Sequence, residues 1–73
     1  MDFEQIIGTH AGIVWRTLHQ AEKELSFKSL LAATKLRVED IAAAIGWLSR
    51  EHKIFIKETK EGVFFSVFKE CYY

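Results

Sequence analysis

Seventy-three residues, with ten basic and ten acidic side chains balanced to a formal net charge of zero, make one small domain over residues 1–73. Such a chain buries only about 60% of its unfolded surface, so its core is marginal and a second subunit would help to complete it. The lone Cys71 excludes a disulfide within the chain, no apolar run approaches the roughly 18–20 residues of a membrane span, and the acidic opening MDFEQIIG lacks the basic region of a secretory signal. A cytoplasmic location is expected, and the unpaired thiol agrees with it.

Asp2 is placed to cap a first helix, with Gln5 three positions on in a capping-box pattern. Phe3, Ile7, Ala11, Val14, Leu18 and Ala21 then recur at helical spacing, predicting a helix over residues 3–23. Gly8 interrupts the pattern, and Thr9 is a residue that can restart a helix as a new cap. Gly8 and Gly12 form a small-xxx-small pair that predicts one close helix crossing, and Trp15 is expected in the core. Leu25 and Phe27 alternate against Glu24 and Ser26, which predicts a brief strand. Ser26 also suits the cap of a second helix over residues 27–34, whose apolar positions are Leu30, Leu31 and Ala33. Thr34–Arg37 reads as a tight turn with Leu36 tucked between the flanking helices.

The most informative stretch is VEDIAAAIGWLSREHKI, residues 38–54. Val38, Ile41, Ile45 and Leu48 follow a 3-4-3 spacing that places four large apolar groups on one face of a helix over 38–52. The opposite face carries Asp40, Ala43, Ala44, Trp47 and Arg50. Residues 54–58 and 63–68 alternate as strands, and Thr59–Gly62 between them is a polar turn in which Gly62 takes a positive φ. Ile54 and Ile56 form one face of the first strand, and Val63, Phe65 and Val67 one face of the second; the other faces carry Phe55, Phe64 and Phe68 as well as Lys57 and Ser66. Both faces are therefore partly apolar, which a two-layer monomer does not need. Together with an aromatic content of 14%, this predicts a homodimer.

The order helix, short strand, helix, turn, helix, strand, strand is that of the winged helix-turn-helix. The run LSFKSLLAATKLRVEDIAAAIGWLSREHKI resembles that family locally: a small helix with Leu-x-Ala, a turn with a buried leucine, and a recognition helix that passes from Leu48 into Ile54. The expected fold class is accordingly α+β, three helices with a short strand and a C-terminal β-hairpin wing. Ala11-Gly12, Val14-Trp15 and Gly46-Trp47-Leu48-x-Arg50-Glu51 look like a small stand-alone prokaryotic branch of the superfamily, which implies an architecture and no particular activity. In members that bind DNA, the recognition helix enters the major groove while the wing and preceding helix touch phosphates. The resemblance then puts Glu39, Asp40, Ala43, Gly46, Trp47 and Arg50 toward the groove. It also makes Lys28, Lys35 and Arg37 around the turn, with Lys57 and Lys60 on the wing, candidate phosphate contacts, and Arg50 the base-reading candidate. The sequence departs from the pattern at Gly46 and Trp47, where base-reading polar side chains are common, and at Glu39 and Asp40, whose carboxylates repel phosphate.

Two functions from different classes follow. One is binding of double-stranded DNA through the cations just named. The other is a protein-contact or homodimer module that presents Ala43, Gly46, Trp47, Phe55, Phe64 and Phe68, with Trp47 as an exposed anchor. Catalysis is not expected, because no nucleophile turn or phosphate-cradling loop occurs and the pair His19 and Glu22, one turn apart, is routine on a helix surface. His10, His19, His52 and Cys71 lack metal-ligand spacing, so no metal, cofactor or small-molecule substrate is expected.

Overall fold

The computed structural model describes residues 2–67, within which the chain runs through helix α1 (Phe3–Ala21), strand β1 (Leu25–Ser26), helices α2 (Phe27–Thr34) and α3 (Val38–Arg50), and strands β2 (Ile54–Thr59) and β3 (Gly62–Val67). Phe68, Cys71 and the two C-terminal tyrosines lie outside the described residues. The strands form one antiparallel sheet of order β1-β3-β2.

Local chemistry sets most of the boundaries. The Asp2 carboxylate accepts from the Gln5 N–H at 2.9 Å and starts α1. Ser26 Oγ accepts from the Ser29 N–H at 3.1 Å and starts α2. Both satisfy a backbone donor that has no partner inside the helix. Lys35, at φ 60, closes α2 with its N–H on the Leu31 carbonyl. After α3, His52 takes φ 56, its N–H bonds the Ser49 carbonyl, and the Lys53 N–H bonds the Leu48 carbonyl. That pair of bonds is a Schellman closure, and it turns the chain directly into β2. Gly62 adopts φ 133, in the positive range foreseen for it, and Thr59 Oγ1 accepts from the Glu61 N–H across the hairpin turn.

The core joins Ala11, Val14, Trp15 and Leu18 of α1, Leu30 of α2, Ile41, Ala44, Ile45 and Leu48 of α3, and Ile54 and Phe65 of the sheet. Leu18, Leu30, Ile41 and Leu48 are fully buried, and each contributes about 1.5–3 kcal/mol relative to exposure. Phe27 meets Phe65 edge to face, with ring centroids 6.4 Å apart, which fixes α2 over the sheet. Helix α1 packs most extensively on α3.

Several expectations are corrected. Helix α1 is continuous through Gly8, and Thr9 is no cap: its hydroxyl donates to the Gln5 carbonyl at 2.9 Å, within the helix. Gly12 is buried, but a Cβ at Gly8 would meet nothing within 4 Å, so no close crossing occurs at Gly8. Phe3 is 81% exposed. On α3 the buried face is rotated from the predicted stripe: Val38, at the first turn, is 57% exposed, and Ala44 takes its place in the core. Ala44 is small, as are the buried Ala11 and Gly12 of α1, the helix that packs most extensively on α3, and small side chains at such a crossing let two helices approach closely. The hairpin projects beyond the helices, so Ile56 is 50% exposed although it shares a face with the buried Phe65.

Candidate nucleic-acid interface

Helix α3 shows solvent a narrow ridge made of Glu39, Ala42, Ala43, Gly46 and Arg50. Between the two charged ends, no side chain on this ridge is longer than a methyl group. A Cβ built on Gly46 would meet nothing within 4 Å, so packing within the domain does not call for glycine there.

Two residues that the resemblance turned toward the groove sit elsewhere. Asp40 is inclined toward α1. Its carboxylate accepts from Arg37 Nε at 3.1 Å and from an Arg37 terminal nitrogen at 3.2 Å, and lies 3.8 Å from His10 Nδ1 on α1. It also accepts from the Arg37 backbone N–H at 3.4 Å, so Asp40 reaches back to cap its own helix. The Arg37 hydrogen bond, more than its charge alone, holds the Asp40 carboxyl below the ordinary carboxylate range despite the cost of partial burial. The same hydrogen bond, reinforced by the charges of Asp40 and Glu39, raises the guanidinium above its usual value. Trp47, two turns on, is half-buried and packs on the core, not out in solvent as an anchor.

The six candidate cations are all exposed, but they are not equivalent. Arg37 is committed to Asp40, and Lys57 lies 3.5 Å from Glu24, which precedes β1. Lys28 on the first turn of α2, Lys35 at its exit, Arg50 at the end of α3 and Lys60 at the hairpin turn have no ion-pair partner among the described residues. Lys35 and Arg50 thus bracket α3, whose 13 residues span about 20 Å. An exposed ion pair is worth only about 0–1 kcal/mol, so Lys57 can exchange Glu24 for another anion at little cost.

Of the protein-contact candidates, Ala43 and Gly46 lie on the α3 ridge, Phe55 is 52% exposed and Phe64 is half-buried; Phe68 lies outside the described residues. Sequence reasoning did not single out Ile56 as a surface group. It also missed the pairs Arg37–Asp40, His10–Asp40 and Lys57–Glu24. Only the first has a local signature, an i,i+3 spacing at a helix start; the other two join segments distant in sequence. A groove of about 450 Å3 opens between the end of α1 and the base of the wing, walled by Leu18, Phe55 and Val67 with His19 and Glu22 at its rim. His19 stacks on Trp15 at 4.8 Å, and Glu22 ends α1 at φ 55. Among the described residues, no three His, Cys, Asp or Glu side chains gather where they could hold a metal ion, and no helix is long and apolar enough to cross a membrane.

Three helices, a three-stranded antiparallel sheet and a third helix with one open ridge that leads into a β-hairpin define a winged helix-turn-helix domain. The chain belongs to the winged helix-turn-helix domain family DUF2582, which matches residues 1–67. It is similar to protein BT2368 from Bacteroides thetaiotaomicron, whose solution NMR structure aligns with a TM-score of 0.79 and 34% sequence identity over 88% of this chain and 77% of that one. No curated protein matches it.

Proposed function

We propose that this domain binds double-stranded DNA, without catalysis, by laying α3 in the major groove. The observation that carries the reading is the low ridge Ala42, Ala43 and Gly46 between unpaired cations: Lys35 enters at one end of α3 and Arg50 leaves at the other. A ridge without long side chains lets the helix backbone approach the base edges closely. Arg50 then reads a base, with guanine as its favoured partner, while Lys28, Lys35 and Lys60 contact phosphates. Arg37 is a minor contributor because Asp40 already satisfies it, and Lys57 contributes after it leaves Glu24. Asp40, neutralised by Arg37 and turned toward His10, repels phosphate less than its sequence position implies. A cytoplasmic location accords with such a target.

The test is a titration of the labelled chain with a random-sequence duplex at low salt, read by fluorescence anisotropy and amide NMR shifts. Binding should weaken with salt, and each of Lys28→Ala, Lys35→Ala and Lys60→Ala should reduce the slope of log K against log salt by about 0.9. Arg50→Ala should cost about 1–3 kcal/mol at one base position once a site is found. Equal binding by the wild type and the triple lysine variant would remove the reading. The second reading, a protein-contact or homodimer module that does not bind DNA, is supported by the zero net charge and by the half-exposed Phe55 and Ile56. It predicts no salt-sensitive shifts in the same titration.

A further inference from the structure

We infer that the outer face of α1 is a self-association surface, on which the α1 helix of a second copy of this chain packs antiparallel. The inference gives the homodimer reading its surface and does not depend on DNA binding. Phe3, Ile6, His10, Ile13 and Thr17 follow the 3-4-3-4 spacing of a helix-pairing seam. None of the five is buried. The core takes a different side of the helix, through Ala11, Val14, Trp15 and Leu18. No described residue before Ala11 is buried, so the first two turns of α1 reach past the core. Phe3, at 81%, is the most exposed large apolar group among the described residues. Two turns of helix gain little stability alone, and helices of globular proteins are held mainly by packing of an apolar face. The start of α1 is capped and regular, yet its apolar seam lacks that packing within the domain.

Charge selects the orientation and the register. Asp2, Thr9 and Arg16 recur every seven residues along one border of the seam. Asp2 and Arg16 are exposed, and neither has an ion-pair partner among the described residues. In an antiparallel pair this border meets the same border of the other helix. With Thr9 opposite Thr9′, each Asp2 faces Arg16′, twice by symmetry. In the same register Phe3 meets Ile13′ and Ile6 meets His10′. The Thr9 hydroxyl already donates to the Gln5 carbonyl, so the crossing leaves it satisfied. A slide of one heptad in one direction sets Phe3 against Gln20′; in the other it keeps only Phe3 against Ile6′ and loses both ion pairs. A parallel pair sets Asp2 beside Ile7′ and Arg16 beside Ala21′, with no ion pairs, and aligns two helix dipoles that repel. Contact between two helices over about four turns is smaller than the roughly 800 Å2 per partner of a stable complex, so the association is weak, with a dissociation constant on the order of 1 mM or below.

The experiment uses the full chain carrying Cys71→Ser, without DNA. Light scattering should show the mass rising from 8.5 kDa toward twice that value as the concentration approaches about 1 mM. Phe3→Glu sets a carboxylate against Ile13′ and should keep the protein monomeric while leaving its circular dichroism unchanged, because Phe3 lies in solvent. Arg16→Glu, also at an exposed position, faces Asp2′ and should weaken the dimer several-fold. Thr9→Cys should join to its own copy through a short bifunctional maleimide. Arg16→Cys should not, because in the antiparallel pair the two Arg16 positions lie about 20 Å apart along the helices. A monomer at about 1 mM would overturn the proposal together with the homodimer reading. A dimer untouched by Phe3→Glu and Arg16→Glu, or Arg16→Cys joining as fast as Thr9→Cys, would overturn the surface or its orientation and leave the homodimer standing.

Discussion

Replacing Gly46 by alanine should make this domain more stable. Gly46 lies inside α3, four residues from its end, on the exposed ridge. Glycine in a helix interior costs about 0.8–1.0 kcal/mol relative to alanine, because it loses more backbone freedom on folding. That gain is withheld when the added methyl group collides with something. Here the new Cβ meets no heavy atom within 4 Å, so the full helical gain is available. For a domain of this size, about 1 kcal/mol raises the melting temperature by roughly 4–8 °C. The assay is a thermal melt followed by circular dichroism, paired with a urea titration in which the midpoint should rise at constant slope. An unchanged or lowered midpoint would refute the reasoning, since it would mean that another part of the chain already covers the ridge. The same variant separates folding from function. If α3 enters a groove along this ridge, Gly46→Ala should bind a duplex more weakly while melting higher; if it does not, duplex titration should not distinguish the two proteins.

Lys35 gives a parallel case: at φ 60 it holds a left-handed conformation that costs a branched or long residue about 1–2 kcal/mol, so Lys35→Gly should raise the urea midpoint while removing one phosphate contact from the salt slope. A lowered midpoint would show that the lysine stem contributes more than the backbone strain costs. For Asp40, the folded carboxyl titrates below its ordinary value of 3.8, so its pairing stabilises the fold fully above that value and is lost as the pH falls through the lowered folded one. The stability difference between wild type and Asp40→Asn should therefore shrink as urea midpoints are followed from neutral pH to below 3.8; a difference that stays constant would disprove the assignment.

The order of elements was legible in the sequence because it depends on local signals. Asp2 and Ser26 are caps by type, Gly62 marks its turn, and the periodicity of α3 and of the hairpin gives their kind. What was not legible depends on how far each element extends past its neighbours. Val38 fits the apolar spacing of α3 but lies at its start and stays exposed, and Ile56 alternates correctly but lies where the hairpin has left the helices behind. Periodicity put Trp47 on the face opposite the core, but its large side chain leans back and packs on the core. The candidate cations could be named from their charge. Which of them were already occupied could not, because Glu24 meets Lys57 only after the sheet has formed.

Strand β1 is only two residues long and pairs with the middle of β3, at Phe64 and Phe65. Helix α3 and the hairpin are contiguous and can form early, whereas β1 joins β3 only after the intervening chain has been gathered, which is entropically the most expensive closure in the sheet. Until that moment β3 is bare on one side at its most aromatic point. The lifetime of that state, and not only the stability of the finished domain, should then set how much newly made chain is lost to aggregation. Substitutions that loosen Leu25–Ser26 should reduce soluble yield out of proportion to their effect on the melting temperature.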